Sequence, residues 1–360
     1  MRRICLVAML GLLWMVGPLW AAEPGRPTWL ALAADPDVAP APEARRSEGW
    51  LSRLMQLAQA EEKAEVKAVA KKEVVVEKAP AGDGPPLPLH TIEGVGGALT
   101  VPMAYLVNPG PPGTTIGLPS ASATALFVGK KNVQSFAISQ TFFRRIEISY
   151  AFNRFDLGTL PKAIVKAGLR VRRQEVYLHH FNIRGLLVEE NSFGLPLPAV
   201  VAGVQFKVNG GIMGMDDSTN GVLTGLGLER RNGVDFTLHM SKMFPKLLLG
   251  RPLILTFGLR NSSASNIGYT GFSDTCETTI EVDVVTLVTD RLAVGYEYRM
   301  KENPYNKARG ILNDEDDWHA IRAAYIINDH CTIAGAWGYM GPVGNTFGNC
   351  AWGLQFKYEF

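Results

Sequence analysis

The chain has 360 residues, with 36 basic and 34 acidic side chains, a formal net charge of +2, 47% hydrophobic and 19% charged residues. Near-neutral charge without a basic face argues against a nucleic-acid partner. A charged fraction below the roughly 25% of typical soluble domains admits a membrane protein without requiring one, and the length suits one large domain or two ordinary ones.

The N-terminus reads "MRRICLVAMLGLLWMVGPLWAAEPG", with Arg2 and Arg3 ahead of an apolar run from Ile4 to Val16 that Gly17 and Pro18 break. This layout predicts a signal peptide over 1–22, with a cut as late as Ala33 as the alternative. The run is too short to cross a bilayer as a helix. Cys5 lacks the preceding small residue of a lipid-modified cysteine. No later stretch supplies the roughly 18 uninterrupted apolar residues of a membrane helix, so the exported chain is either soluble or a barrel.

Residues 35–89 predict a periplasmic spacer, rich in Pro and Ala at first and in Lys, Glu and Ala over 50–79. Leu51, Leu54, Met55 and Ala58 share a helical face, but the pattern fails at Glu61. A solvated, partly helical spacer is the expectation, and a helix over 50–79 that binds a periplasmic partner is the alternative.

From about His90 the period becomes two. Ile146, Ile148, Tyr150 and Phe152 oppose Arg145, Glu147 and Ser149, and Val200, Ala202, Val204, Phe206 and Val208 share one face. Val234, Phe236, Leu238 and Met240 oppose Asp235, Thr237, His239 and Ser241, and Leu292, Val294, Tyr296, Tyr298 and Met300 oppose Glu297, Arg299 and Lys301. These are half-buried strands. A soluble sandwich also alternates. Three features favour an all-β, transmembrane, antiparallel up-and-down β-barrel over 90–360: strands near ten residues long, aromatics on the apolar faces, and connections that alternate long and short.

Counted back from the C-terminus, 341–349, 302–317, 262–278, 210–232 and 154–174 fall outside the cell. The connections at 327–330, 289–291, 244–251 and 189–197 then fall in the periplasm. Before Phe143 the pattern blurs, since 93–107, 121–129 and 133–140 supply two strands or three. Twelve strands are expected, with fourteen as the alternative. In the hairpin around Asp290, pairing residues whose numbers sum to 580 sets Val282 against Tyr298 and Glu281 against Arg299. It also sets Asp283 against Glu297, which demands a lumen cation such as Arg322 or Lys207.

The stretches "IEGVGGALTVP", "VVAGVQFKVN", "GVDFTLHMSKMFPKLLLGRPLILTFGLRNSSASNIGYTGF" and "TDRLAVGYEYRMK", with the acidic "NDEDDW" after them, together resemble a family of uncharacterised, predicted Gram-negative outer-membrane β-barrels. The resemblance covers about 90–360 and implies a fold and a location, with no activity and no catalytic residue.

Candidate chemistry is sparse. His179 and His180 are adjacent on a strand and point to opposite faces, so they do not share a ligand sphere with His239. "DDSTNG" opens like a calcium loop at Asp216, but Gly227 stands where the bidentate acid belongs. Asp314, Glu315, Asp316 and Asp317 form an acidic cluster that is a weak metal candidate. Ser262, Ser263, Ser265 and Ser273 have no His beside them in sequence, which makes an outer-membrane hydrolase the least favoured reading. Cys276 and Cys350 fall at the external end and are the candidate disulfide, whereas Cys331 begins a strand at the other end.

The lumen is expected to carry Arg145, Glu147, Gln205, Lys207, Asp235, His239, Glu281, Asp283, Glu297, Arg299, Arg322, Gln355 and Lys357. Their mixed signs predict little ion selectivity. Twelve strands enclose more space than the eight that side chains alone can fill, so either a narrow hydrophilic pore passes through or loops and ion pairs plug it. The closing stretch "NCAWGLQFKYEF" places Leu354, Phe356, Tyr358 and Phe360 on one face and resembles the signal by which such barrels are recognised for assembly. The expected function is a narrow channel or uptake pore for small polar solutes, with a structural or export-linked barrel as the alternative. No cofactor is implied. The expected partners are the lipid bilayer with lipopolysaccharide, the outer-membrane assembly machinery and a periplasmic protein.

Overall fold

The computed structural model describes residues 88–156, 175–218, 221–225, 227–302, 316–341 and 350–360. The signal peptide and the 50–79 helix lie outside the described residues, as do Asp314 and Glu315.

Twelve antiparallel strands close into one barrel: β3 (Ser120–Val128), β4 (Lys131–Phe142), β5 (Ile146–Asp156), β6 (Glu175–Val188), β7 (Ala199–Asn209), β8 (Asn232–Leu248), β9 (Arg251–Ala264), β10 (Phe272–Leu287), β11 (Leu292–Arg299), β12 (Trp318–Ile326), β13 (Cys331–Tyr339) and β14 (Cys350–Glu359). Each pairs with its sequence neighbours. β14 closes the wall on β3, from Ala351 opposite Val128 to Glu359 opposite Ser120. Closure leaves no strand edge facing lipid, which a membrane-spanning sheet requires. The hairpin around Asp290 has the expected register, with Val282 opposite Tyr298, Glu281 opposite Arg299 and Asp283 opposite Glu297.

Alternation sorts the side chains. Phe136, Ile148, Phe181, Trp337, Trp352 and Phe356 are exposed on the outside, whereas Ser135, Glu147, Asn182, Thr332, Gln355 and Lys357 are buried inside. An apolar exterior around a polar interior inverts the pattern of a soluble domain and is that of a lipid-facing barrel. Aromatic pairs occur towards both rims, with Phe127 stacked on Trp352 at 4.2 Å and Phe360 edge-on to Tyr358 at 4.9 Å.

Short connections gather at the end where β14 finishes. The β4–β5 turn places Phe143 and Arg144 at φ 52° and 58°. These left-handed residues turn the chain before β5 begins. Arg145 therefore sits in the turn, half exposed and paired with Glu189 at 3.0 Å, and does not face the lumen as its parity suggested. At the opposite end only Gly129 and Lys130 join β3 to β4, a short connection on the side of the long loops.

The segment 93–107 adds no strand to the wall. Residues 88–107 run inside the barrel instead, and 108–118 lead back out along the rim. Pro88 lies at the short-turn end, where its carbonyl accepts from Lys357 Nζ at 2.5 Å. The chain rises through β1 (Leu89–His90), doubles back through β2 (Gly96–Gly97) and returns to the end it entered. There Gly117 N donates to Thr141 O at 2.8 Å, just before β3 starts. Every residue from Pro88 to Ala104 is buried.

Above this segment, towards the long loops, the lumen is apolar. Ile92 and Leu99 pack with Leu126, Phe155, Leu178, Ile267, Phe272, Trp318 and Met340. Ile267 belongs to the β9–β10 connection, which folds into the barrel, and Asn209 Nδ2 donates to Gly268 O at 2.7 Å to hold it there.

Candidate functional site: the lumen and its inner segment

The inner segment makes its own turn. Ile92 N donates to Leu99 O at 2.9 Å, Ala98 N to Val101 O at 2.8 Å and Met103 N to Gly96 O at 3.1 Å. Two glycines permit the close packing. Gly94 has φ +92°, and a Cβ there would lie 2.8 Å from Ala151 Cβ. A Cβ on Gly97 would meet Val101 O at 2.4 Å and Pro102 Cα at 2.6 Å, both within the inner segment's own backbone.

Polar wall residues satisfy the rest of the segment. Glu147 of β5 accepts from Gly96 N at 3.0 Å and Val107 N at 2.7 Å. Arg184 of β6 holds that carboxylate through Nε at 2.9 Å and Nη2 at 2.7 Å, and it donates to Met103 O at 2.6 Å and Tyr105 O at 2.9 Å. Glu297 of β11 accepts from Leu99 N at 3.1 Å, Thr100 N at 2.7 Å, Val101 N at 3.2 Å and Thr100 Oγ1 at 2.7 Å. Gln355 of β14 brackets His90, accepting from its N at 3.3 Å and donating to its O at 2.7 Å. A buried backbone without these partners would carry a large desolvation cost.

The His90 ring lies between Ser122 Oγ at 3.0 Å and Ser139 Oγ at 2.7 Å. Burial holds its pKa well below the usual range, and the charges of Lys357 and Arg184 add to the effect. The ring is therefore neutral, so one of its nitrogens donates to a serine and the other accepts.

The densest charge cluster centres on Glu93 of the inner segment. Its carboxylate meets Lys207 Nζ of β7 at 2.5 Å, Arg299 Nη1 of β11 at 2.7 Å and Arg260 Nη2 of β9 at 3.1 Å. The same cations are shared with the wall. Asp235 meets Lys207 at 2.5 Å and Arg260 at 2.9 Å, and Glu281 meets Arg260 at 2.7 Å and Arg299 at 3.3 Å. His239 Nε2 lies 2.7 Å from Glu281 Oε2. At mid-wall beside this cluster, Arg322 bonds both Asp283 and Glu297, the like-charged cross-strand pair.

Of the thirteen residues read as lumen-facing, the structure thus buries all but Arg145. Sequence reasoning missed Glu93, Arg184 and Arg260. Arg184 and Arg260 share a parity with Asn182 and Ser262 on their strands, which was a usable signal.

The weak metal candidates have other partners. Asp216 lies in α1 (Ile212–Ser218) and accepts from Leu223 N at 2.6 Å and Thr224 Oγ1 at 2.5 Å in α2 (Val222–Gly225). Asp316 accepts from Tyr339 Oη, and Asp317 accepts from Tyr298 Oη at 2.6 Å and Lys301 N at 2.9 Å. Cys276 and Cys350 are free and exposed, so the expected disulfide is absent. They lie on β10 and β14, four strand steps apart around the wall. At about 4.8 Å per step, that separation exceeds the roughly 7 Å Cα limit for a bridge.

The sequence profile of a family described as "Protein of unknown function (DUF3034)" matches residues 88–356. The chain belongs to the DUF3034 family. Its matched region begins where the inner segment begins, so the DUF3034 unit comprises that segment together with the wall. No curated protein matches the chain. Among solved structures, a KdgM porin is similar at 10% identity and TM-score 0.42, over 67% of this chain and 99% of that one. The outer membrane protein Omp33 of Acinetobacter baumannii is similar at 10% identity and TM-score 0.38, over 68% and 99%. The COG4313 outer membrane channel of Pseudomonas putida F1 is similar at 9% identity and TM-score 0.36, over 70% and 100%. Likenesses this distant carry no inference about solute.

Proposed function

We propose that the protein is an outer-membrane channel for small polar solutes, held closed by its own residues 88–107. One observation carries this reading. Up to Val107, the inner segment is bound to the wall through side chains, with no strand pairing to it. It therefore withdraws without breaking a single ladder of the barrel. Both ends of the segment lie at the short-turn rim, which we assign to the periplasm, together with the N-terminus. The apolar exterior is then the surface that meets lipid and lipopolysaccharide, and Phe360 on the closing strand is the mark read by the assembly machinery. The export-linked alternative depends on 35–89, which lies almost wholly outside the described residues.

Gly97→Val tests the reading. The added side chain disrupts the inner turn against its own backbone and leaves the wall untouched. In planar bilayers the parent barrel is expected to be mostly silent and the Gly97→Val barrel to show conductance steps. A folded Gly97→Val barrel with no conductance refutes the channel.

A further inference from the structure

The cluster around Glu93 is unequal in charge once the inner segment is set aside. Among the described residues in ion-pair contact with it, the wall supplies three cations, Lys207, Arg260 and Arg299, and two carboxylates, Asp235 and Glu281. Glu302 is near enough to feel Arg299, but it makes no ion pair with these residues and its burial disfavours the charged form. Glu93 brings the third carboxylate, and its backbone carbonyl is steadied by Asn182 Nδ2 at 2.8 Å. The three cations come from three different wall strands and converge on its two oxygens. Arg260 Nη2 is buried and lies 3.1 Å from Glu93 Oε2, but it lacks the alignment of a hydrogen bond and has no other partner. The site thus holds more donor capacity than Glu93 uses. Withdrawal of the segment opens this wall to water and leaves three cations against two carboxylates, a local positive excess in a narrow lumen that attracts another anion.

We infer that Lys207, Arg260 and Arg299 form a carboxylate-binding site in the open lumen, and that Glu93 occupies this site in the closed one. The transport meaning rests on the channel reading above, but the site does not. A carboxylate solute and the inner segment are then mutually exclusive ligands of one wall site. Two planar guanidinium groups match a carboxylate's paired oxygens, which favours carboxylates over spherical anions. The solute competes with a tethered group whose effective concentration is high, so opening by solute requires millimolar amounts. The mixed signs of the lumen as a whole conceal this local preference.

Chemical rescue tests the site directly in the full chain. Glu93→Ala removes the carboxylate and leaves its three cations facing a cavity of carboxylate size. Hydrogen exchange of the amides at 96–101 should accelerate, and acetate should restore protection by about tenfold at ten times its dissociation constant. Acetamide, the same shape without charge, should do nothing. Equal effects of acetate and acetamide, or none from either, overturn the inference. If Glu93→Ala does not fold, the Gly97→Val barrel decides instead. Propionate should reduce its chloride current where propionamide does not, and adding Arg299→Gln should abolish the difference. A conducting barrel indifferent to propionate overturns the carboxylate site and leaves the channel standing. A silent Gly97→Val barrel removes the channel and leaves the site to the acetate result of a folded Glu93→Ala barrel, and failure of both variants overturns the inference.

Discussion

Glu297→Ala should release the tip of the inner segment. The Glu297 carboxylate is buried and accepts three backbone N–H groups, from Leu99, Thr100 and Val101, together with the Thr100 hydroxyl. Each buried donor left unsatisfied costs about 1–3 kcal/mol. Water entering the space of the lost side chain recovers part of that, so about 4 kcal/mol for the four together is a fair magnitude. Arg322 remains paired with Asp283, and the substitution also removes the like-charge contact between Asp283 and Glu297, so the wall itself gains little strain. At 1.4 kcal/mol per factor of ten, local opening becomes about a thousandfold more frequent, and exchange of the three amides accelerates accordingly. Hydrogen–deuterium exchange on the reconstituted barrel, read by mass spectrometry over 95–107, measures this. Acceleration below tenfold refutes the view that this carboxylate holds the segment, and equal acceleration in β11 and β12 shows that it supports the wall instead.

Arg322→Met leaves Asp283 and Glu297 facing each other without their shared cation. Breaking such a buried set costs about 3–5 kcal/mol and should lower the temperature at which the folded band is lost in heat-dependent gel mobility. Glu302, just beyond β11, is buried, and its pKa is pushed up to about 7 by that burial, with Asp235 adding and Arg299 opposing. The folded state therefore holds its proton more tightly than the unfolded one, so stability is lost as pH rises from about 4.5 to about 7. Glu302→Gln should stabilise the barrel by a few kcal/mol at pH 8 and hardly at all at pH 4, and the same gain at both pH values would contradict this assignment. Removal of Phe360, whose N donates to Pro119 O at 3.1 Å across the closing seam, should reduce the assembled fraction in membrane fractionation far more than it alters the conductance of the barrels that do assemble.

The wall was legible because a barrel strand writes its environment with period two. Apolar Tyr296 and Tyr298 alternate with Glu297 and Arg299, and one residue of slip would exchange lipid for lumen along the whole strand. That is why strand number and the Asp290 register follow from the amino-acid order. The same rule failed at Arg145, where the parity holds but the left-handed turn at Phe143 and Arg144 intervenes. It failed for Cys276 and Cys350 because height in the wall is readable from a strand's ends, whereas position around the circumference is not.

Alternation, strand count, closing strand and the demand of Asp283 and Glu297 for a cation were properties of the sequence by itself. The fate of "IEGVGGALTVP" was decided only by the tertiary structure. Buried on all sides, that segment has no face to alternate, and its glycines and apolar residues read as strand text. Glu93 acquires its meaning from Lys207, Arg260 and Arg299, more than a hundred residues away and on three separate strands. Local pattern reports whether a residue meets lipid or lumen, but only closure of the barrel determines which charges converge there on a single carboxylate.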